Sequence, residues 1–298
     1  MISFLQKKFF KKKNPQYEFL RKKWTARHKE GYENLFDKHL KKVAASSLGG
    51  LMLLSTPGIS LVDANHPQDT DSGITASSSK NALLKAELID KVPEDARKLT
   101  DEEDQKIIES INKNLGIKVL AEVDNKRLNR TYGVIGGEQH LYRYPGDTVY
   151  AHAKSAQDWA MYGGSGIAPG LGAWGYFAPS REVLTPEIEA QERYYLAVQT
   201  FLSPGFSERV REYRDFYKFR KMLVVNPKTG QAVVAVIGDA GPSEWTGKHL
   251  GGSPEVMHEV GLAGGPRKGP VLYYFLDDPN NSVPLGPIKM SEEVLASK

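Results

Sequence analysis

A chain of 298 residues with 40% hydrophobic and 10% aromatic content can bury one sizeable core with appendages. It has no cysteine, which excludes disulfides, thiolate metal sites and thiol nucleophiles. The formal net charge of +4 is uneven: residues 1–42 hold 13 Lys/Arg against 4 Asp/Glu, so the remainder is net negative and lacks the basic face that nucleic-acid binding requires.

Within 1–42, Tyr17, Leu20, Trp24, Leu35, Phe36 and Leu40 recur at broadly helical spacing among Lys and Arg. This pattern fits a basic amphipathic arm on an anionic, cytoplasmic membrane face, or an ordinary solvated helix. Residues 43–64 begin with twenty uncharged positions, Val43 to Val62, whose apolar heart is Leu48 to Leu54. Basic residues before it and the small residues of Val62-Asp63-Ala64 after it read as an export signal, while its length also suits a membrane anchor. A buried helix of a soluble protein is the third option. Under either membrane reading Lys41 and Lys42 stay inside, and residues 65–298 lie outside the cytoplasm. Residues 65–80, rich in Ser, Asp and Thr, read as a flexible linker.

Residues 81–130 read as a helical spacer or a helical cover for the domain that follows. Ala82 to Val92 has helical character stopped by Pro93. Thr100-Asp101-Glu102-Glu103 forms a capping box before Ile107, Ile108, Ile111 and Leu115, with Gly116 at the stop. Ile117 to Val123 reads as a strand. The main domain is expected over 131–290, with strand-like runs at Gly133–Tyr144, Gly172–Phe177, Tyr194–Leu202 and Val271–Leu276. Helices are expected after Thr185-Pro186, over Ser207–Lys221, and from Ser253-Pro254 to Gly261.

The best-defined piece is Met222 to Pro242. Leu223–Val225 and Ala232–Ile237 flank the turn Asn226-Pro227-Lys228-Thr229-Gly230, in which Pro227 fixes φ and Gly230 can take a positive φ. The second strand runs into Gly238-Asp239-Ala240-Gly241-Pro242, which places a carboxylate between glycines at a strand end. Such a residue is either a turn former or an acid held on a rigid support.

Strand, Asn-x-x-x-Gly turn, strand, Asp-x-Gly-Pro, then Gly247-Lys248-His249-Leu250 and a helix capped by Ser253-Pro254 and ending at Gly261 resembles the double-psi β-barrel of rare lipoprotein A and the expansins. The resemblance covers about 40 residues. It implies a mainly β fold: a small double-psi-like barrel with short helical insertions, preceded by N-terminal helices. It also implies peptidoglycan or another cell-wall glycan as partner and a lytic transglycosylase-type activity, with Asp239 as acid and Glu244 and His249 as nearby helpers. Ala240 stands where the family has Arg, and Leu250-Gly251-Gly252-Ser253 lacks the family's second acid. A non-catalytic glycan-binding or structural module is therefore carried alongside the enzyme.

Gly170-Leu171-Gly172-Ala173-Trp174-Gly175 spells a dinucleotide-binding string, but no strand precedes it and Pro179 follows closely. The segment reads instead as a barrel corner, or as a sugar platform built from Trp174 and Tyr176, with Trp245 as a further ring. His140, Asp147, Glu244 and His249 are similar in arrangement to zinc D,D-peptidases. That resemblance implies ligands His140, Asp147 and His249 with Glu244 as base, although Thr246-Gly247-Lys248 widens the last interval. The principal reading needs no metal and no cofactor.

Overall fold

The computed structural model describes residues 81–288; the basic arm, the apolar segment 43–64 and the linker 65–80 lie outside the described residues. Residues 81–88 are helical, and α1 spans Asp101–Leu115. Its start is fixed as the sequence predicts: the Thr100 hydroxyl accepts from Glu103 N–H and the Glu103 carboxylate accepts from Thr100 N–H. Gly116, at φ +68°, ends it. Strand β1 (Val119–Leu120) follows, then a small hairpin of β2 (Glu122–Val123) and β3 (Lys126–Arg127).

Six further strands close into a barrel: β4 (Tyr132–Gly137), β5 (Tyr195–Val198), β6 (Lys221–Val225), β7 (Ala232–Ala240), β8 (Leu250–Gly252) and β9 (Lys268–Leu276). Around the ring, β4 pairs parallel with β8, and β8 antiparallel with β5. Strand β5 then pairs parallel with β7, and β7, β6, β9 and β4 close the circuit with antiparallel pairings. Exchanging β4, β5 and β6 for β7, β8 and β9 maps every pairing onto one of the same sense, so the connectivity has an internal two-fold relation. Strands β1 and β10 (Gly286–Pro287) extend the pairing of β9 and β7 beyond the ring. The architecture is a closed, mixed β-barrel with several helices.

Alternation sorts the side chains. Met222, Val224, Val233, Ala235, Ile237, Val271, Tyr273 and Phe275 share one cluster with Ile135, Leu196, Val198 and Leu250, which is the barrel interior. Tyr213 and Tyr217 of α5 (Val210–Tyr217) and Val256 and Met257 of α6 (Pro254–Glu259) pack on the same cluster. Their neighbours Leu223, Val225, Val234, Leu272 and Tyr274 face the other way and are covered by Leu84, Leu88, Ile107 and Ile111. Residues 81–115 therefore lie on the outer face of the β6–β7–β9 wall. One buried polar contact fixes that packing: the Asp104 carboxylate accepts from the hydroxyls of Thr131 and Tyr274.

Several expected elements are shorter or different. The strand expected over Gly133–Tyr144 ends at Gly137, and that over Tyr194–Leu202 ends at Val198, where a 3₁₀ turn Thr200–Leu202 begins. The run Ile117–Val123 divides into β1 and β2. Gly172–Phe177 is not a strand but a turn closed by Gly175 N–H donating to Gly172 O, with Gly175 at φ +78°. Between β4 and β5 the sequence reading missed α2 (Val149–His152) and α3 (Ala156–Tyr162), which precede α4 (Pro186–Arg193).

The β6–β7 turn closes as its residues dictate, with Gly230 N–H donating to Asn226 O at 2.8 Å. Gly230 has φ +76°, and a Cβ there would collide with the carbonyl oxygen of Asn81. Gly230→Ala should therefore destabilise the fold by about 1–2 kcal/mol, the cost of the left-handed conformation, with the collision adding to it. The check is a lowered denaturant midpoint at unchanged slope.

Candidate functional site

Asp239 owes its position to a register shift. Leu196 lies opposite Ile237, but Ala197 lies opposite Asp239, so Gly238 is an extra residue in β7. A Cβ at Gly238 would come within 2.7 Å of the Tyr195 Cβ, so only glycine fits the bulge. Ile237 faces the barrel interior, whereas Ala197, the partner of Asp239, belongs to an outer cluster with Leu141 and Tyr195. The carboxylate is half-buried. Its Oδ1 accepts from Ala173 N–H at 2.6 Å and from Ala240 N–H at 2.7 Å. Among the described residues Oδ2 makes no hydrogen bond. Burial pushes this carboxyl above the ordinary Asp range, against the two backbone donors that favour its charge. Asp239 is thus a supported acid with one oxygen uncommitted.

The other expected participants are not gathered around it. Glu244 and Trp245 occupy an exposed 3₁₀ turn, Trp245 with 88% exposure. His249 accepts from Val134 N–H through Nδ1 at 2.9 Å, a bond that fastens it to the edge of β4. Burial, together with nearby Arg130 and Lys268, lowers its pKa. No hydrogen bond or ion pair among the described residues joins Asp239 to Glu244 or His249. Trp174 packs against the barrel core, and its indole N–H donates to Arg214 O at 3.3 Å. Arg214 in turn donates to Ala173 O at 2.8 Å, so the 173–174 segment is tied to α5. Of the three aromatic candidates, only Tyr176 and Trp245 present exposed rings.

The loop leaving β4 builds a second polar centre. Leu141 N–H and His152 Nδ1 contact the two oxygens of Glu192 on α4, each at 2.9 Å. His152 Nε2 lies 3.0 Å from Asp147 Oδ2. Asp147 accepts Arg143 Nε–H and Nη2–H as a bidentate pair, both at 2.9 Å, and also Arg143 N–H. His140 Nδ1 stands 3.5 Å from Glu192 Oε1, and its ring centroid is 4.5 Å from that of His152. His140, Arg143, Asp147, His152 and Glu192 are all buried.

Burial alone would discharge these groups, but their pairing outweighs it. Hydrogen bonds to Asp147 and Glu192 raise His152 to about 9, although burial works against its charge. Arg143 and His152 hold Asp147 well below the usual carboxylate range despite its burial. Glu192, though fully enclosed, is held down to about 2 by the two imidazoles. Two cations and two anions make the centre electrically balanced.

No family model, no curated protein and no solved structure matches the chain. The site therefore has to be read from its own geometry. His140 and Asp147, singled out in the sequence as a zinc pair, do lie in one cluster. His249 does not join them, because it sits beside Val134, six positions before His140 along β4 and its exit. Their actual associates, His152 and Glu192, follow 12 and 52 residues after His140, and no motif spacing marks them. The one available sequence signal was their abundance between two strands, in a stretch read as loop and short acidic helix.

Removing one member of a buried ionic network leaves the others uncompensated. Asp147→Ala strands both the Arg143 guanidinium and His152 Nε2. It should cost about 3–5 kcal/mol, whereas Glu244→Ala on the exposed turn should stay within about 0.5 kcal/mol. Denaturant unfolding of the two variants beside the wild type measures both.

Proposed function

We infer that the barrel is a double-psi barrel of the rare lipoprotein A and expansin kind, acting on the glycan strands of a cell wall. The two-fold relation between β4–β6 and β7–β9, with two parallel pairings that each join a strand of one half to a strand of the other, supports the fold. The observation that carries the activity is Asp239: a half-buried carboxyl of raised pKa, positioned through Oδ1 by two backbone N–H groups and with Oδ2 uncommitted.

In this reading the protonated Asp239 gives its proton to the glycosidic oxygen as the bond from that oxygen to the anomeric carbon breaks. The resulting carboxylate then takes the proton of a hydroxyl on the same sugar while that oxygen bonds to the anomeric carbon, yielding an anhydro sugar and restoring the acid. A carboxyl in the ordinary range would be ionised at neutral pH and could not donate, so the burial of Asp239 is a requirement of the reaction. Glu244 and His249 are assigned no step. Tyr176 and Trp245 remain as exposed rings on which a sugar can stack.

A second reading, a non-catalytic glycan-binding or structural module, is favoured by the use of Asp239 Oδ1 as a clamp on Ala173. Asp239→Asn separates the two, since an amide oxygen keeps the clamp but the side chain cannot donate an acidic proton. With purified peptidoglycan, the enzyme reading expects co-sedimentation to persist and release of anhydro fragments to fall 10²- to 10⁴-fold. Equal sedimentation with no fragments from either protein would leave the binding module. Because the protonated form is the donor, wild-type release should decline as pH rises through the raised pKa of Asp239. Any residual release by Asp239→Asn should lack that limb.

We also place residues 65–298 outside the cytoplasm, on the support of the charge step at Lys42 and the apolar segment after it. Among the described residues no helix is long and apolar enough to cross a membrane. A reporter that works only in the cytoplasm, fused after Lys298, should be silent; a bright signal would overturn the placement.

A further inference from the structure

We propose that His140, His152 and Glu192 bind one divalent transition-metal ion of the zinc class, which ties together three separate parts of the excursion between β4 and β5. This site is distinct from Asp239, and of the set His140, Asp147 and His249 compared above with zinc peptidases it keeps only His140 as a ligand.

One ligand atom from each of the three residues lies within 4.8 Å of the other two. Ligand atoms about 2.0–2.2 Å from a tetrahedral ion stand roughly 3.4 Å apart. His140 Nδ1 lies 3.5 Å from Glu192 Oε1 and His152 Nδ1 lies 2.9 Å from Glu192 Oε2, so the two imidazoles face different oxygens of one carboxylate, and an ion would draw the three ligand atoms in from separations of up to 4.8 Å. His140 is 1% exposed, and its Nδ1 makes no hydrogen bond although it faces a carboxylate. A buried nitrogen in that condition is rare unless something completes it.

The surrounding shell is that of a metal-bound histidine. With Nδ1 of His152 as the ligand, Nε2–H points at Asp147 Oδ2, and Asp147 is itself immobilised by Arg143. A carboxylate behind an imidazole fixes its tautomer and orientation. His140 is held through its backbone, donating to Gly166 O and accepting from Ala168 N–H. Two imidazole nitrogens and one carboxylate suit zinc, cobalt or nickel better than calcium or magnesium, which prefer oxygen. The three residues come from the exit of β4, from α2 and from α4, so one ion would cross-link three separate segments. Their burial marks a structural site. A second buried acceptor without a hydrogen bond, Glu255 Oε2, lies on α6, which packs against α4.

The test uses the full-length chain without an affinity tag, stripped with chelator and dialysed against micromolar zinc. Bound metal is counted by mass spectrometry, and affinity is measured against a chromophoric competitor. About one zinc per chain should be retained, with a melting point about 5 °C or more above that of the stripped protein. His140→Ala and Glu192→Gln should each lower affinity at least tenfold, while His249→Ala and His258→Ala should leave it unchanged. Folding of each variant is verified by circular dichroism, and His140→Gln, which keeps side-chain bulk, substitutes if the alanine variant fails to fold. Cobalt should bind the wild type and be displaced by zinc, giving a readout that needs no variant. Absence of retained zinc in folded wild type, or equal affinity in a folded His140 variant, would overturn the site and leave a purely ionic network.

Discussion

Everything in this fold depends on three strands that are apolar on both faces. Strands β6, β7 and β9 send Met222, Val224, Val233, Ile237, Tyr273 and Phe275 inward, and Leu223, Val225, Val234, Leu272 and Tyr274 outward. A barrel normally keeps one face for water, and a two-sided apolar wall cannot. Each outward Leu, Val or Tyr left bare would forgo about 1.5–3 kcal/mol of burial. Residues 81–115 supply the missing layer, and the buried Asp104 shows how specific that layer is. Its carboxylate has been taken from water, which raises its pKa, and the hydroxyls of Thr131 and Tyr274, with the Arg127 guanidinium 3.8 Å away, compensate. A helix docked in another register would leave that acid unpaired.

The opposite side of the barrel is covered by different chemistry. Over β5 only Leu141, Tyr195 and Ala197, with parts of Ala168 and Phe177, form an apolar patch. The covering excursion is organised by ions instead: Arg143, Asp147, His152 and Glu192 bond one another out of water. Ion pairs of this kind seldom add net stability over a well-packed apolar core. They do impose strict geometry, because any misplacement strands a charge. Of the excursion's large apolar side chains only Leu141, Tyr144 and Tyr162 are buried, while Tyr150, Trp159 and Leu171 are exposed, so a single arrangement comes from the ions rather than from apolar burial.

The elements legible in the sequence are those whose determinants are local. Thr100 with Glu103 fixed the start of α1, Gly116 its end, and Asn226 to Gly230 the β6–β7 hairpin, because each depends on backbone preferences within five residues. Strand β8 escaped notice because Leu250-Gly251-Gly252 has no alternation and pairs with β4 and β5, more than 50 residues away. The run Gly172–Phe177 misled for the opposite reason: its aromatic residues suit a strand, but Gly175 takes a positive φ and folds the chain back. Asp239 could be singled out because a carboxylate at a strand end is visible in one dimension. His152 and Glu192 could not, since only the three-dimensional path of the chain between β4 and β5 brings them to His140.

Asp239 and the buried ionic centre are linked through that same excursion. The centre fixes the segment around His140 and Leu141, and Leu141 lies 3.2 Å from where a Cβ on Gly172 would be. Gly172 abuts Gly238 and Asp239, and the next residue, Ala173, donates to Asp239 Oδ1. A chain of contacts therefore runs from His140 through Leu141 and Gly172 to the carboxylate. The Ala173 N–H favours the charged acid, whereas the burial that the same loop provides favours the neutral one. The loop thus both raises the pKa of Asp239 by burying it and opposes that rise through the Ala173 N–H. At its far end the same run of contacts begins in a network of charges, none of which touches the acid.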